Sequence, residues 1–184
     1  FSFEFRIKYT LYENSLAVAY DIVNEGDEDM YFSIGAHPAF KVPLEEKWQY
    51  IDYYLEFDKT ETSPRWPISP EGLIKKEAQA FLNNTTKLPL SKELFQQDAI
   101  VFKNLASSTI SLKTDRSPHG LRMFFPGFPF VGIWAAKNAG FVCIEPWCGI
   151  ADSVDTSQQL MQKEGINRLQ PKEDFSRTWT VAVF

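Results

Sequence analysis

Residues 98–125, DAIVFKNLASSTISLKTDRSPHGLRMFF, contain three short strand-like segments at close spacing, of which the second alternates apolar and polar side chains: 98–103 (DAIVFK), 108–113 (STISLK) and 120–125 (GLRMFF). A period of two is the mark of a strand with one face buried. Asp115-Arg116-Ser117-Pro118-His119-Gly120 between the last two reads as a tight loop. Two further runs follow, 130–135 (FVGIWA) and 140–145 (GFVCIE), as a pair joined across Lys137-Asn138-Ala139-Gly140. Strand signals at roughly ten-residue spacing, with turn residues between them, predict an all-β sandwich or barrel.

The rest of the chain extends this pattern. Phe1, Phe3 and Phe5 alternate with Ser2 and Glu4, and residues 3–12 and 16–23 form a hairpin signal around Glu13-Asn14-Ser15. Residues 24–27 make the next turn, and 30–34 and 50–57 read as strands. Three prolines with Ser and Gly predict a loop or short edge pieces over 60–72. Residues 73–80 fit strand or helix, and Asn83-Asn84-Thr85-Thr86 reads as a turn. Residues 91–96 predict one short helix with Ser91 as N-cap. Residues 149–174 are polar with few strand signals, and 175–183 (FSRTWTVAV) close the chain as a strand. No segment keeps a 3.6-residue period over four turns, and no repeat or linker divides the chain. The reading is one all-β domain, a sandwich or barrel, over 1–184.

Composition narrows the function classes. The 184 residues hold 24 acidic and 19 basic side chains, a formal net charge of −5. That balance argues against nucleic acid as a partner. The most apolar stretch, Met123 to Ala136, holds two prolines and two glycines and is shorter than a membrane span, so no membrane partner is expected. The chain opens without a charged region leading into an apolar one, so a cytoplasmic location is expected. A chain that opens inside a strand also reads as a processed or truncated product. Two histidines, His37 and His119, leave little room for a multi-histidine metal site, and no metal or cofactor is expected. The unusual feature is the aromatic content of 16 Phe, 7 Tyr and 5 Trp. Aromatic rings favour strands and can also floor a sugar pocket.

Two motifs place acid–base groups at strand ends. His37 lies in Gly35-Ala36-His37-Pro38-Ala39-Phe40, where Pro38 ends a ladder. It reads either as a half-buried loop histidine bonded to a carbonyl or as an acid–base group on a rim. Glu145 closes the apolar run Phe141-Val142-Cys143-Ile144, and Pro146 is expected to stop that strand. A carboxylate there is either a solvated rim residue or a base tuned by burial. Asp98 could accept hydrogen bonds from sugar hydroxyls or simply turn the chain. Phe40, Trp134 and Trp147 fit the core as well as a sugar floor. Cys143 and Cys148 read as buried reduced thiols, and His119 as a solvated turn residue.

The ordered pair GAHPAF (35–40) and FVCIEPWCGIADS (141–153) resembles the aldose 1-epimerases, the galactose mutarotase-like proteins, and most closely their LacX-like branch. DAIVFKNLASSTISLK, FPGFPFVGIWAAKNAGF and KEGINRLQP extend the resemblance over essentially the whole chain. The resemblance implies an antiparallel β-supersandwich, a free sugar as small-molecule substrate, and interconversion of its α and β anomers. It implies that His37 protonates the ring oxygen, that Glu145 takes the anomeric hydroxyl proton, and that Asp98 binds sugar hydroxyls. The two catalytic side chains are then expected to face one cleft and bracket a pyranose-sized space. A non-catalytic sugar-binding or sugar-sensing protein is the alternative on the same fold. The family extends further at the N-terminus, which implies an absent part of the sandwich and of the sugar shell. Weak activity of the 184-residue chain is expected, with self-association through the edge left open near Phe1, Phe3 and Phe5.

Overall fold

The alternating runs form fourteen strands in a computed structural model that describes residues 1–184. The first seven are β1 (Phe3–Tyr12), β2 (Ser15–Asn24), β3 (Met30–Phe32), β4 (Ile34–Gly35), β5 (Ala39–Lys41), β6 (Tyr53–Arg65) and β7 (Gln79–Pro89). The others are β8 (Ile100–Lys103), β9 (Thr109–Thr114), β10 (Ser117–Phe124), β11 (Phe130–Trp134), β12 (Phe141–Cys148), β13 (Asn167–Leu169) and β14 (Asp174–Val183). A seven-stranded sheet runs β1-β2-β14-β10-β9-β6-β7, and a five-stranded sheet runs β4-β12-β11-β8 with β5 also paired to β12. All strand pairs are antiparallel. A core of 27 buried residues joins the inner faces of the two large sheets. It includes Val18, Leu55, Phe57, Ile110, Leu112 and Met123 from one and Ile100, Phe102, Val131, Ile133, Val142 and Ile144 from the other. The all-β antiparallel sandwich is as the sequence predicts.

Several local expectations fail, each where tertiary pairing overrides a turn signal. Residues 60–65 continue β6 rather than forming a loop. Glu61 is buried there, and its carboxylate accepts the Ala106 and Ser107 N–H groups at 3.2 and 2.7 Å. Residues 83–86 lie inside β7, where Asn84 takes φ +49° and register shifts against β6 absorb the irregularity. Ser117 to Gly120 belong to β10, beyond a shift in its pairing with β9. The expected short helix is present, with Ser91 at its N-cap position, but as a 3₁₀ turn over Lys92–Phe95 and without a side-chain capping bond. No helix is long and apolar enough to cross a membrane.

The correction that matters for the site concerns Pro146, which does not end its strand: β12 runs on to Cys148. In a strand the N–H and C=O of one residue point to the same neighbour. The Pro146 carbonyl accepts the Ala36 N–H at 3.0 Å, so its ring nitrogen faces the β4 and β5 side. There β12 pairs with β5 over Phe141–Cys143 and with β4 over Trp147–Cys148. Between them the chain leaves the ladder at Ala36-His37-Pro38. The N–H that proline lacks falls in this break, where no ladder bond is required. Glu145 therefore sits inside a central strand, opposite Gly132 of β11.

Candidate active site

Alternation along β12 sorts its side chains onto two faces. Val142, Ile144 and Cys148 belong to the core between the sheets. Cys143, Glu145 and Trp147 project from the opposite, outer face. Directly opposed residues of paired strands share a face, so Gly132 joins Glu145, Trp134 joins Cys143 and Phe130 joins Trp147 on β11. Part of this outer face is covered: Ile74, Val101, Phe130 and Ile150 form a small second core, with Trp66, Ile68, Ala99 and Trp147 packed against it. The part around Glu145, Trp134 and His37 is left open on one side.

His37 arrives from the break between β4 and β5 and lies over Glu145. Its Nδ1 stands 3.1 Å from Glu145 Oε1, with the imidazole side chain 62% exposed and the carboxylate 9% exposed. His37 Nε2 has no hydrogen-bond partner within the chain. The imidazole meets the Trp134 ring edge-on at 5.6 Å. The expected pair is thus together on one open face. The two side chains touch, however, so no ring-sized gap separates them, and a pyranose has to lie across the pair rather than between its members.

The environment sets the carboxyl group's proton affinity. Burial pushes the Glu145 pKa up to about 7; the Trp147 indole N–H pulls it down, and the charge of Asp98 pushes it up again. A protonated His37 at 3.1 Å would favour the carboxylate. Beneath them the Cys143 thiol is raised to about 12 by burial and by the Glu145 charge. Both cysteines are buried free thiols, as the sequence predicts. His37, Cys143 and Glu145 offer one ligand atom each within 4.8 Å of one another.

The remaining sequence candidates divide. Asp98 is exposed, takes φ +77° and accepts the Ala99 N–H at 2.7 Å, yet lies near enough to act on Glu145. It both turns the chain and edges the site. Trp134 is half-buried on the site face. Phe40 is not on that face: it stands opposite Val142 and packs on the main core, which removes it from the sugar floor. Trp147 stands on the site face but lies down along it. A Cβ on Gly132 would fall 2.5 Å from its six-membered ring, and one on Gly35 would fall 2.6 Å from its Cδ1. A concavity of about 230 Å³ lined by Ser33, Ile34, Gly35, Trp147, Gly149 and Ile150 shares Trp147 with the site without reaching His37 or Glu145. Sequence reasoning missed Gly132 and the placement of Cys143. Only the antiparallel register shows which residue stands opposite the carboxylate.

Comparison with known proteins bears on the family and the fold. The family model described as aldose 1-epimerase matches residues 1–163. The chromosomal protein LacX of Lactococcus lactis subsp. lactis is 33% identical over 187 aligned residues, covering 100% of this chain and 62% of that protein. A galactose mutarotase related enzyme from Lactobacillus acidophilus superposes with a TM-score of 0.91 at 32% identity, over 99% of this chain and 61% of that one. A galactose mutarotase-like protein from Lactobacillus casei gives 0.89 at 22% identity, which shows the shared fold. The chain thus spans a little over three-fifths of the length of the curated relative it matches.

Proposed function

The chain belongs to the aldose 1-epimerase family, and on that premise we propose that the protein interconverts the α and β anomers of a free aldohexose. The observation that carries this reading is the contact between Nδ1 of the exposed His37 and Oε1 of the buried Glu145 on an open face of the sheet. Glu145 as carboxylate removes the proton from the anomeric hydroxyl O1. His37, protonated, gives a proton from Nε2 to the ring oxygen O5 as the C1–O5 bond breaks and the C1–O1 carbonyl forms. Rotation about C1–C2 presents the other face of the aldehyde. The two transfers then run backwards: Glu145 returns a proton to O1, O5 closes on C1, and His37 recovers its proton. No net proton or electron is consumed.

The environment suits the task. A general base works best when its pKa lies near the operating pH, and burial brings Glu145 there. Trp134, edge-on to His37, offers a ring face to the C–H-rich side of a pyranose, and Asp98 offers a hydroxyl acceptor at the rim.

Polarimetry on a freshly dissolved single anomer tests the proposal in the intact gene product. Glu145→Gln keeps the shape but cannot take the proton, and kcat is expected to fall by about 10²- to 10⁴-fold with sugar affinity retained. A wild-type-like kcat in this variant would remove Glu145 as the base.

A further inference from the structure

Trp147 is the residue whose placement the sugar-floor reading does not explain. A side chain that served as a platform would present its ring face to the ligand. This indole instead packs against the small second core, folded back from position 147 over Gly132, the residue directly opposite Glu145. A Cβ at Gly132 would stand 2.5 Å from both Cη2 and Cζ2. On the other flank a Cβ at Gly35 would stand 2.6 Å from Cδ1 and 3.1 Å from the Pro146 carbonyl oxygen. Real side-chain carbons do not approach so closely, so the indole can lie there only because both neighbouring strands carry glycine at that level. The small second core packs against the same ring from the covered side. Its resting orientation is therefore fixed by three surrounding elements. The indole thus lies over the residue opposite Glu145, and its Nε1–H, between Cδ1 and Cε2, is the donor that lowers the carboxyl group's pKa.

We propose that Trp147 is a positioning residue: seated between Gly35 and Gly132, its indole N–H holds the Glu145 carboxylate in register with His37. The inference rests on the proposed acid–base role of the pair. It assigns Gly132 and Gly35 a functional purpose, that of clearing the space the indole occupies. The carboxylate has one oxygen against His37 Nδ1. A donor on its flank fixes rotation of the group, so that the other oxygen is presented to O1. Every charged or titratable group bearing on Glu145 from the packed elements belongs to the account: His37 from the break between β4 and β5, Cys143 on β12 itself, and Asp98 before β8.

The test is Trp147→Phe, which keeps a ring in the groove but lacks the N–H. A hydrogen bond to the charged form of a carboxyl group holds its pKa down, and losing it raises the pKa by about one to two pH units. The Glu145 side-chain carboxyl carbon, followed by ¹³C NMR, is expected to titrate about one unit higher in Trp147→Phe than in wild type. The rising limb of kcat against pH is expected to move by the same amount, with kcat reduced about tenfold and KM unchanged. Gly132→Ala, which displaces the ring with a methyl group, is expected to give the same shift. The double variant should be no worse than Trp147→Phe alone. A raised KM with an unmoved titration in Trp147→Phe would make the indole a sugar platform and overturn the proposal. So would a normal titration in Gly132→Ala with the fold intact by near-ultraviolet circular dichroism. The NMR shift reads positioning whether or not the protein turns over sugar. Absence of turnover in wild type with the shift present would overturn the proposed reaction and leave the positioning role standing.

Discussion

Glu145 and Glu61 are both buried carboxylates, and the difference between them separates chemistry from architecture. Glu61 takes two backbone N–H groups and pins β6 to the connection between β8 and β9. Glu145 meets the exposed imidazole of His37 on the one side open to solvent. Its raised pKa also has a stability consequence. The folded state holds the Glu145 proton up to about pH 7, whereas an unfolded chain releases it near the ordinary carboxylate value of 4.5. Between those values the folded state binds more protons, so stability falls as pH rises from about 4.5 to 7 and stays lowered above. Glu145→Gln, which cannot ionise, is therefore expected to melt at a higher temperature than wild type at pH 8 and to lose that advantage at pH 4.5. The expected gain at pH 8 is on the order of 2 kcal/mol. Calorimetry at the two pH values checks it, and an equal Tm for both proteins at pH 8 would show that the ionised carboxylate costs the fold nothing. The proposed reaction needs the same ionised form, so kcat is expected to rise with pH through about 7 as Glu145 gives up its proton.

Within β12 the two jobs alternate one residue out of phase. Val142, Ile144 and Cys148 fill the core, while Cys143, Glu145 and Trp147 build the site. Ile144 is fully buried. Its truncation, Ile144→Ala, is expected to cost about 2–5 kcal/mol by chemical denaturation. Activity per folded molecule should be largely kept, because nothing on the outer face is removed. Loss of activity without loss of stability would show that the two faces are not separable. The alternation of this element was legible in the sequence, whereas the convergence of His37 and Glu145 was expected only through the resemblance of their two motifs to the aldose 1-epimerases. Three things were not. Pro146 reads as a stop because its missing N–H looks like a lost ladder bond; only the break in the neighbouring chain shows that none is lost. Phe40 reads as a site residue because proximity to His37 in sequence does not say which face a strand residue takes; pairing with Val142 does. Asn24 reads as a turn residue, whereas its buried amide donates to the Glu28, Leu169 and Gln170 carbonyls and ties β2 to the far end of the chain.

The two large sheets are unequal in width, and the mismatch leaves one inner surface without a lid. Phe5, Ile7, Tyr9 and Leu11 of β1 stand opposite Ile22, Tyr20, Val18 and Leu16 of β2 and so share the face that looks toward the core. All four are exposed nevertheless, with Phe1 and Phe3 beside them. An apolar groove lined by Phe1, Phe3, Phe5, Ile22, Met30 and Phe32 continues the same surface. Contiguous apolar area of this kind rarely stays in water, and β1 has one free edge. The 184-residue chain is expected to self-associate through β1 in a concentration-dependent way, read by light scattering after size-exclusion chromatography. Ile7→Lys with Leu11→Lys should return it to monomer. A wild-type chain that stays monomeric at high concentration would show that this face tolerates water. The lopsided sandwich has one more consequence, in the order in which the molecule comes apart. β1 is held by a single neighbour and β2 by two, while β9 sits deep in the sheet with Ile110 and Leu112 fully buried. Amide hydrogen exchange should therefore be graded across the seven-stranded sheet, with β1 exchanging through local fraying and β9 only when the whole domain opens.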